Sequence, residues 1–310
     1  MDTGNQIRYL RRQQIDISKW DMCVKQSSNG WLYARSFFLD GLGRWGALVK
    51  GDYDYIMPLP QKKKYGLPYV YSPPIIGQLG IISSQPVTTA LTDAFIARVH
   101  RLFYVADIRL NEQNPGESRR LSGLTSATRP NYILPLQETY PVLYDRFSAD
   151  GKKNIRTTHR LGLVPDYDIP ISTVIRLYRD AYGKKNLNYS EKDYQTIDRI
   201  ATLCITKGQG FTLGIHDPEK NLHAAGFFGI DEKRVYYLLG APTPEGRKSN
   251  AVHRLVDEVI KKYAGTGLVF DFEGSYIPSV AAFYRKFAPM TSQYDEILIH
   301  RLPRWIRRFS

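Results

Sequence analysis

One stretch limits what this chain can fold into more than any other: Gly267-Leu-Val-Phe-Asp-Phe-Glu-Gly-Ser275, followed at once by Ile277-Pro-Ser-Val-Ala-Ala-Phe-Tyr-Arg-Lys-Phe287. Leu268 to Phe272 is a β-branched and aromatic run with the composition of a buried strand. Gly274-Ser275 ends it, and Pro278 sits where a first-turn proline is tolerated. Val280, Phe283, Tyr284 and Phe287 then recur at helical spacing. The sequence therefore predicts strand, tight turn, helix. Asp271 and Glu273 fall near the strand's carboxyl end, where open α/β sheets bind ligands. One residue apart, they are expected on the same strand face, and Tyr284 is expected at the helix start.

The run Phe270-Asp-Phe-Glu-Gly-Ser275, with Ala282-Phe-Tyr-Arg-Lys-Phe287, resembles the last strand and helix of FemAB-like transferases. These are proteins of two GNAT (N-acetyltransferase) folds in tandem, which join acyl or aminoacyl groups to amines. Tyr284-Arg-Lys-Phe287 also resembles the ordinary GNAT ending, in which the tyrosine acts as general acid. The glycine-phenylalanine of that ending is only partly kept, because Ala288-Pro289 follows Phe287. The resemblance is clearest from Val235 to Arg301 and is traceable through the N-terminal half. It implies an α/β (α+β) protein of two tandem GNAT-like folds, each a mixed, mostly antiparallel sheet flanked by helices. The expected division is 1–150 and 151–310.

A length of 310 residues suits two cores of ordinary size. There is no run of eighteen apolar residues, and Met1-Asp-Thr-Gly-Asn-Gln lacks the basic region and apolar core of a leader, so a cytoplasmic protein is expected. Cys23 and Cys204 are far apart and form no metal-type cluster; reduced thiols are expected. His216 and His223, across a hairpin turn, are the nearest histidine pair, and no metal is expected. The formal charge of +13 favours anionic partners: a phosphate-rich cofactor, nucleic acid, or peripheral contact with an inner membrane face.

Along the chain, Asp16 to Val24 reads as a helix with Ser18 as a candidate N-cap, and Trp31 to Leu39 is ambiguous between helix and strand. Gln61 to Tyr65 reads as a basic loop. Tyr69 to Ile82, punctuated by Gly and Pro, fits either a wall of an acceptor site or an irregular edge strand. Val87 to Val105 predicts an amphipathic helix, and Asn114 to Arg129 a loop. In the second half, helices are expected over 174–182, 191–207 (capped by Ser190) and 251–264, with strands over 211–216, 222–230 and 234–241. Glu296 to His300 is a last strand, before the basic tail Arg301 to Arg308.

Lys152-Lys-Asn-Ile-Arg-Thr-Thr-His-Arg160 predicts a basic helix and resembles the helix that opens the second half of FemAB-like proteins. Asn154 and Arg156 there, with Ser275, are the candidate substrate-binding residues. Such a helix can meet phosphate, or a peptidoglycan-precursor diphosphate, through charge-assisted hydrogen bonds; a solvated face is the plain alternative. In ordinary GNAT enzymes a glycine-rich loop after the central strands grips the acyl-coenzyme A pyrophosphate at a helix N-terminus. The corresponding stretch here, Gly240 to Ala251, supplies Gly240, Ala241, Gly246, Arg247, Lys248, Ser249 and Asn250, but its glycine spacing differs.

Amide formation from an activated ester requires loss of a proton from the amine, stabilisation of the oxyanion and protonation of the leaving group. Tyr284 can supply the last proton, and Asp271 or Glu273 can orient or deprotonate the amine. Other catalytic signatures are missing, among them Gly-x-Ser-x-Gly, the P-loop and His-Glu-x-x-His. The leading expectation is an acyltransferase that forms an amide or ester on a cell-envelope or metabolite acceptor. Its donor is acyl-CoA (acetyl-CoA) or aminoacyl-tRNA. The alternative is a non-catalytic binding protein for an anionic glycan lipid or RNA.

Overall fold

The structure is a computed structural model that describes residues 6–116, 121–183 and 189–302. In chain order it begins with β1 (Arg8–Arg11), α1 (Ile17–Gln26), α2 (Ser36–Leu42), β2 (Trp45–Lys50), β3 (Tyr55–Lys64) and β4 (Leu67–Val70). Then come α3 (Thr89–Leu102), β5 (Val105–Arg109), β6 (Leu124–Pro135), α4 (Tyr140–Arg146), α5 (Ala149–Arg160) and β7 (Val164–Asp166). α6 (Ile171–Tyr178) runs on into a π-turn, Arg179–Gly183, and α7 (Glu191–Thr206) follows. The last part holds β8 (Gly210–His216), β9 (Leu222–Ile230), β10 (Arg234–Pro242), α8 (Pro244–Lys248), α9 (Ala251–Tyr263), β11 (Val269–Asp271), α10 (Pro278–Tyr284) and β12 (Met290–His300).

Contacts divide the chain into a unit of residues 1–130 and 293–310 and a unit of residues 131–292. The expected division at 150 gives the C-terminus to the second half. The chain instead returns to the first unit at its end, because β12 pairs antiparallel with β5, Glu296 opposite Arg109. Arg301 donates to the carbonyls of His100 and Phe103 there.

In the first unit the strand order is β1-β2-β3-β4-β5-β12. Neighbours are antiparallel except β4 and β5, which are parallel and meet at a single pair, Val70 with Ala106. α3 buries Phe95, Ile96 and Val99 against Leu48, Met57 and Ile297 of the sheet. Thr88 accepts from the Leu91 amide and starts α3, and Asp16, not Ser18, caps α1 by accepting from Lys19. Trp31 to Leu39 resolves as a 3-10 turn, Leu32–Ala34, leading into α2. The expected loop at 114–129 is strand from Leu124 onward, where Arg129 reaches Glu296 of β12 at 2.5 Å. Tyr69 to Ile82 contributes β4 and then an irregular segment. Its Tyr71, Ser72, Pro73 and Ile76 border a cavity of about 20 Å³, with Asp107 and Arg109 opposite.

The second unit repeats this plan. Its order is β7-β8-β9-β10-β11-β6, antiparallel throughout except for the parallel pair β10 and β11. Consecutive Phe227 and Phe228 point to opposite faces of β9. Phe228 joins Leu255, Val256 and Val259 of α9 in one core. Phe227 faces Cys204 of α7 across Gly210. Ser190 caps α7 in a reciprocal capping box with Asp193. Both cysteines are free and buried, and burial pushes the Cys204 thiol up to about 12. Among the described residues no helix is long and apolar enough to cross a membrane.

Candidate functional site

The predicted site residues all fall in the second unit, and its geometry begins with two parallel strands that part. β10 is nine residues long, yet β11 pairs with it only over Arg234–Val269, Val235–Phe270 and Tyr236–Asp271. Beyond Tyr236, β10 has no strand partner on the β11 side among the described residues. Its other edge slips register between Tyr237 and Leu239, so Leu238 has no opposite residue on β9. A bulge of this kind twists and re-aims a strand locally. The result is a run of β10 backbone, Tyr237 to Pro242, beside the turn that follows β11.

That turn is held by a buried polar cluster. Asp271 is 1 % exposed. It accepts from Arg234 at 2.8 Å, from the Asn131 amide group at 2.9 Å and from the Glu273 backbone at 3.2 Å. Ser275 accepts from the Tyr132 amide at 2.9 Å and donates to Asn131 at 3.4 Å. Asp271 and Ser275 are thus structural: the base role expected for Asp271 and the substrate contact expected for Ser275 do not fit side chains committed to buried partners. Glu273 does not share a strand face with Asp271, because β11 ends at Asp271 and Glu273 sits in the left-handed region at φ 51°. Non-glycine residues held there are strained, and such strain gathers at functional sites.

Tyr284 lies at the C-terminal end of α10, not at its start. Its ring packs 4.9 Å from Phe272 and 6.2 Å from Tyr237 by ring centroids. Burial pushes its hydroxyl well above the ordinary tyrosine range, and Tyr237, Tyr178, Glu273 and Tyr182 push it further. Tyr237 is raised in the same way by burial and by Tyr182 and Tyr178. Four tyrosines, Tyr178 and Tyr182 from α6 and its π-turn, Tyr237 and Tyr284, therefore hold neutral hydroxyls within electrostatic reach of one another. π-Turns recur at functional sites, and Arg247 stands 5.8 Å from the Tyr182 ring. Among the groups that raise Tyr284, Glu273 is the carboxylate. Sequence reasoning missed Arg234, Asn131, Tyr178, Tyr182 and Tyr237. The usable signal was Arg234, a charge at the head of an otherwise apolar strand.

The stretch expected to cradle a pyrophosphate is half helical. Gly240 and Ala241 belong to β10; Gly246, Arg247 and Lys248 form α8; Ser249 and Asn250 link it to α9. Thr243 caps α8 through the Gly246 amide, the Arg247 amide donates to Thr243, Ser249 to Glu245 and Asn250 to Arg247. Gly246 is glycine because a Cβ would meet the His223 carbonyl at 1.7 Å. These amides are closed among themselves. The start of α9 differs: Asn250 is left-handed and makes no side-chain cap, and although the His253 amide donates to the Asn250 carbonyl, no acidic residue of the first turn offsets the positive end of this thirteen-residue helix.

α5 bears out the predicted basic helix, capped by Ser148. Asn154 turns inward and meets His253 at 3.1 Å. Arg156 faces outward with Lys153, His159 and Arg160 around an open depression of about 600 Å³. Beneath it α9 carries Arg254, which donates to His159 at 2.9 Å and pairs with Glu258 at 3.1 Å, and Asp257, which accepts from Tyr140 at 2.6 Å. Burial lowers His253 to about 4 and raises Asp257 to about 6. His223 contacts Ser249 and Asp217, and His216 lies 3.7 Å from Asp166; among the described residues no group of three His, Cys, Asp or Glu side chains could hold a metal. The basic tail from residue 303 lies outside the described residues.

No protein-family model matches the chain, and no curated protein matches it by sequence. Solved structures do match by shape. FemX aligns over 93 % of this chain and 96 % of its own at 12 % identity, with a TM-score of 0.63. The C-terminal domain of a putative lysylphosphatidylglycerol synthetase from Agrobacterium fabrum aligns over 93 % and 92 % at 10 % identity, TM-score 0.54. A tandem GNAT protein from the clavulanic acid biosynthesis pathway aligns over 96 % and 99 % at 10 % identity, TM-score 0.53. The chain has a FemAB-like, tandem GNAT fold. At such identities the likeness speaks to the fold.

Proposed function

We propose that the protein is an acyltransferase that moves an acyl or aminoacyl group from an activated donor to an amine or hydroxyl on a cell-envelope or metabolite acceptor. The observation that carries this reading is the parting of β10 and β11 beside Tyr284. An extended donor arm can add to the unpartnered β10 edge by main-chain hydrogen bonds, which brings its carbonyl to the tyrosine cluster. A bound donor supplies the activated carbonyl; the chain supplies the proton traffic. Tyr284, a neutral hydroxyl that burial holds more firmly protonated, donates to the leaving group. Glu273, whose charge acts on that hydroxyl, draws the proton from the acceptor amine. Asp271, Arg234, Asn131 and Ser275 position the turn that carries Glu273. Tandem folds of this kind that join acyl or aminoacyl groups to amines, and a neighbour whose name is that of a lysylphosphatidylglycerol synthetase, support the assignment by analogy of fold.

For the donor, acyl-CoA fits in part. The positive first turn of α9, with Arg247 and Lys248 on the helix before it, suits a diphosphate, whereas the closed amides of α8 withhold the glycine-loop cradle. Those closed amides favour aminoacyl-tRNA as the second donor. The depression on α5 gives either polyanion, or a diphosphate-bearing acceptor, a cationic wall through Arg156.

Calorimetric titration with acetyl-CoA and with an aminoacyl-tRNA tests this. Saturable binding of one donor, with turnover in Tyr284→Phe reduced by about 10²- to 10⁴-fold and donor affinity unchanged, is the expected result. Unchanged turnover removes the role of Tyr284. Binding of neither donor leaves the non-catalytic reading, a scaffold for an anionic glycan lipid or RNA.

A further inference from the structure

The β3–β4 hairpin of the first unit has no part in the chemistry above. Its strands pair Gln61–Val70, Lys62–Tyr69, Lys63–Pro68 and Lys64–Leu67 around a two-residue turn, Tyr65 at φ 51° and Gly66 at φ 80°. β2 leaves β3 at Pro60, and β5 touches β4 only at Val70. From Lys62 to Tyr69 the hairpin is therefore a two-stranded ribbon that runs past its own sheet, and every residue from Lys62 to Pro68 is exposed. Ribbons of two strands are marginal in water, and exposed edges with apolar tips invite association. This one nevertheless carries Tyr65, 75 % exposed, and Leu67, 44 % exposed, at its apex.

The residues are ordered by depth. The amphipathic Tyr65 leads at the turn, Lys64 and Leu67 stand opposite each other one step back, and Lys63 and Lys62 follow behind; Lys64 lies over the Tyr65 ring at 5.8 Å and Lys62 over the Tyr71 ring at 4.4 Å. A bilayer surface suits this order: tyrosine and leucine settle in the interface, and the long lysines reach back to anionic headgroups. A nucleic acid would match the lysines and could stack on Tyr65, but it offers Leu67 and Pro68 less apolar surface than a lipid interface does. We propose that this hairpin is a peripheral anchor that seats the protein on an anionic lipid surface, with Tyr65 and Leu67 in the interface and Lys62, Lys63 and Lys64 at the headgroups.

Co-sedimentation of the full chain with vesicles tests it, using pure phosphatidylcholine and phosphatidylcholine with phosphatidylglycerol, alongside filter retention of tRNA. The expected result is binding to the anionic vesicles that weakens about 100-fold in the triple variant Lys62→Glu, Lys63→Glu, Lys64→Glu. A control that reverses the scattered, exposed Arg101, Lys192 and Lys220 is expected to lose far less. Tyr65→Asn with Leu67→Ser keeps the charge and suits the turn, and is expected to lower vesicle binding while leaving tRNA retention unchanged. Equal loss in the control, vesicle binding insensitive to the tip, or loss of tRNA retention in place of vesicle binding each overturn the anchor.

Discussion

Arg234 and Asp271 show how the site is made at the level of single residues. Their pair is almost wholly buried, with side chains 7 % and 1 % exposed, and Asn131 satisfies the second carboxylate oxygen. Removing one partner strands the other's charge in the interior, so Arg234→Ala is expected to destabilise the protein by about 3–5 kcal/mol in urea melts. A loss below ~1 kcal/mol would show that the turn does not depend on this pair. Tyr284→Phe is the opposite case: the ring keeps its contacts with Phe272 and Tyr237, and only the hydroxyl is lost. A melting temperature close to that of the parent, together with impaired turnover, is the expected signature. Of these residues the sequence singles out Tyr284 from spacing along a short helix, which is local information, but expects it at the start of that helix and not at its end. It misread Asp271 and Ser275, since their partners Asn131, Tyr132 and Arg234 come from β6 and β10, distant in the chain.

Single elements were legible where one period dominates. The helices α3, α7 and α9 and the meander β8 to β10 follow from apolar spacing and caps. The start of β6 was lost because Leu124 to Arg129 is polar and pairs with β12, a strand from the other end of the chain. α9 also carries a prediction about pH. Its His253, held near 4 by burial, is neutral in the folded state, whereas an unfolded histidine takes a proton below about 6.5. Stability from this group is present above about 6.5 and is lost as pH falls toward 4. Asp257, raised to about 6, works with the opposite sign: its folded form takes a proton first, so stability is lost as pH rises from about 3.8 to 6. Each is worth about 3 kcal/mol across its window, and the two nearly cancel. Stability of the parent is thus expected to be flat from these groups between pH 4 and 6. Asp257→Asn should make it fall toward acid, and His253→Asn should make it rise. Parallel pH profiles for the two variants would contradict this.

At the scale of the whole chain, the two units repeat one strand order, each with a parallel pair that parts, and each takes its last strand from beyond the neighbouring stretch of sequence. The tandem fold was legible from the strand–turn–helix block and its resemblance. The return of β12 to the first unit was not, because a strand's pairing partner is not written in its own periodicity. The charge of +13 pointed to anionic partners without placing them. The structure gathers part of it into the outward face of α5 and the tip of the β3–β4 hairpin. The proposed acyl transfer requires that the unpartnered stretch of β10 receive a donor. Hydrogen exchange of Tyr237 to Pro242 would be followed by mass spectrometry, with and without saturating acetyl-CoA or aminoacyl-tRNA. Slower exchange in that stretch with one of the two donors is the predicted result. Unchanged exchange there with both, under conditions where either is bound, would contradict the proposed site.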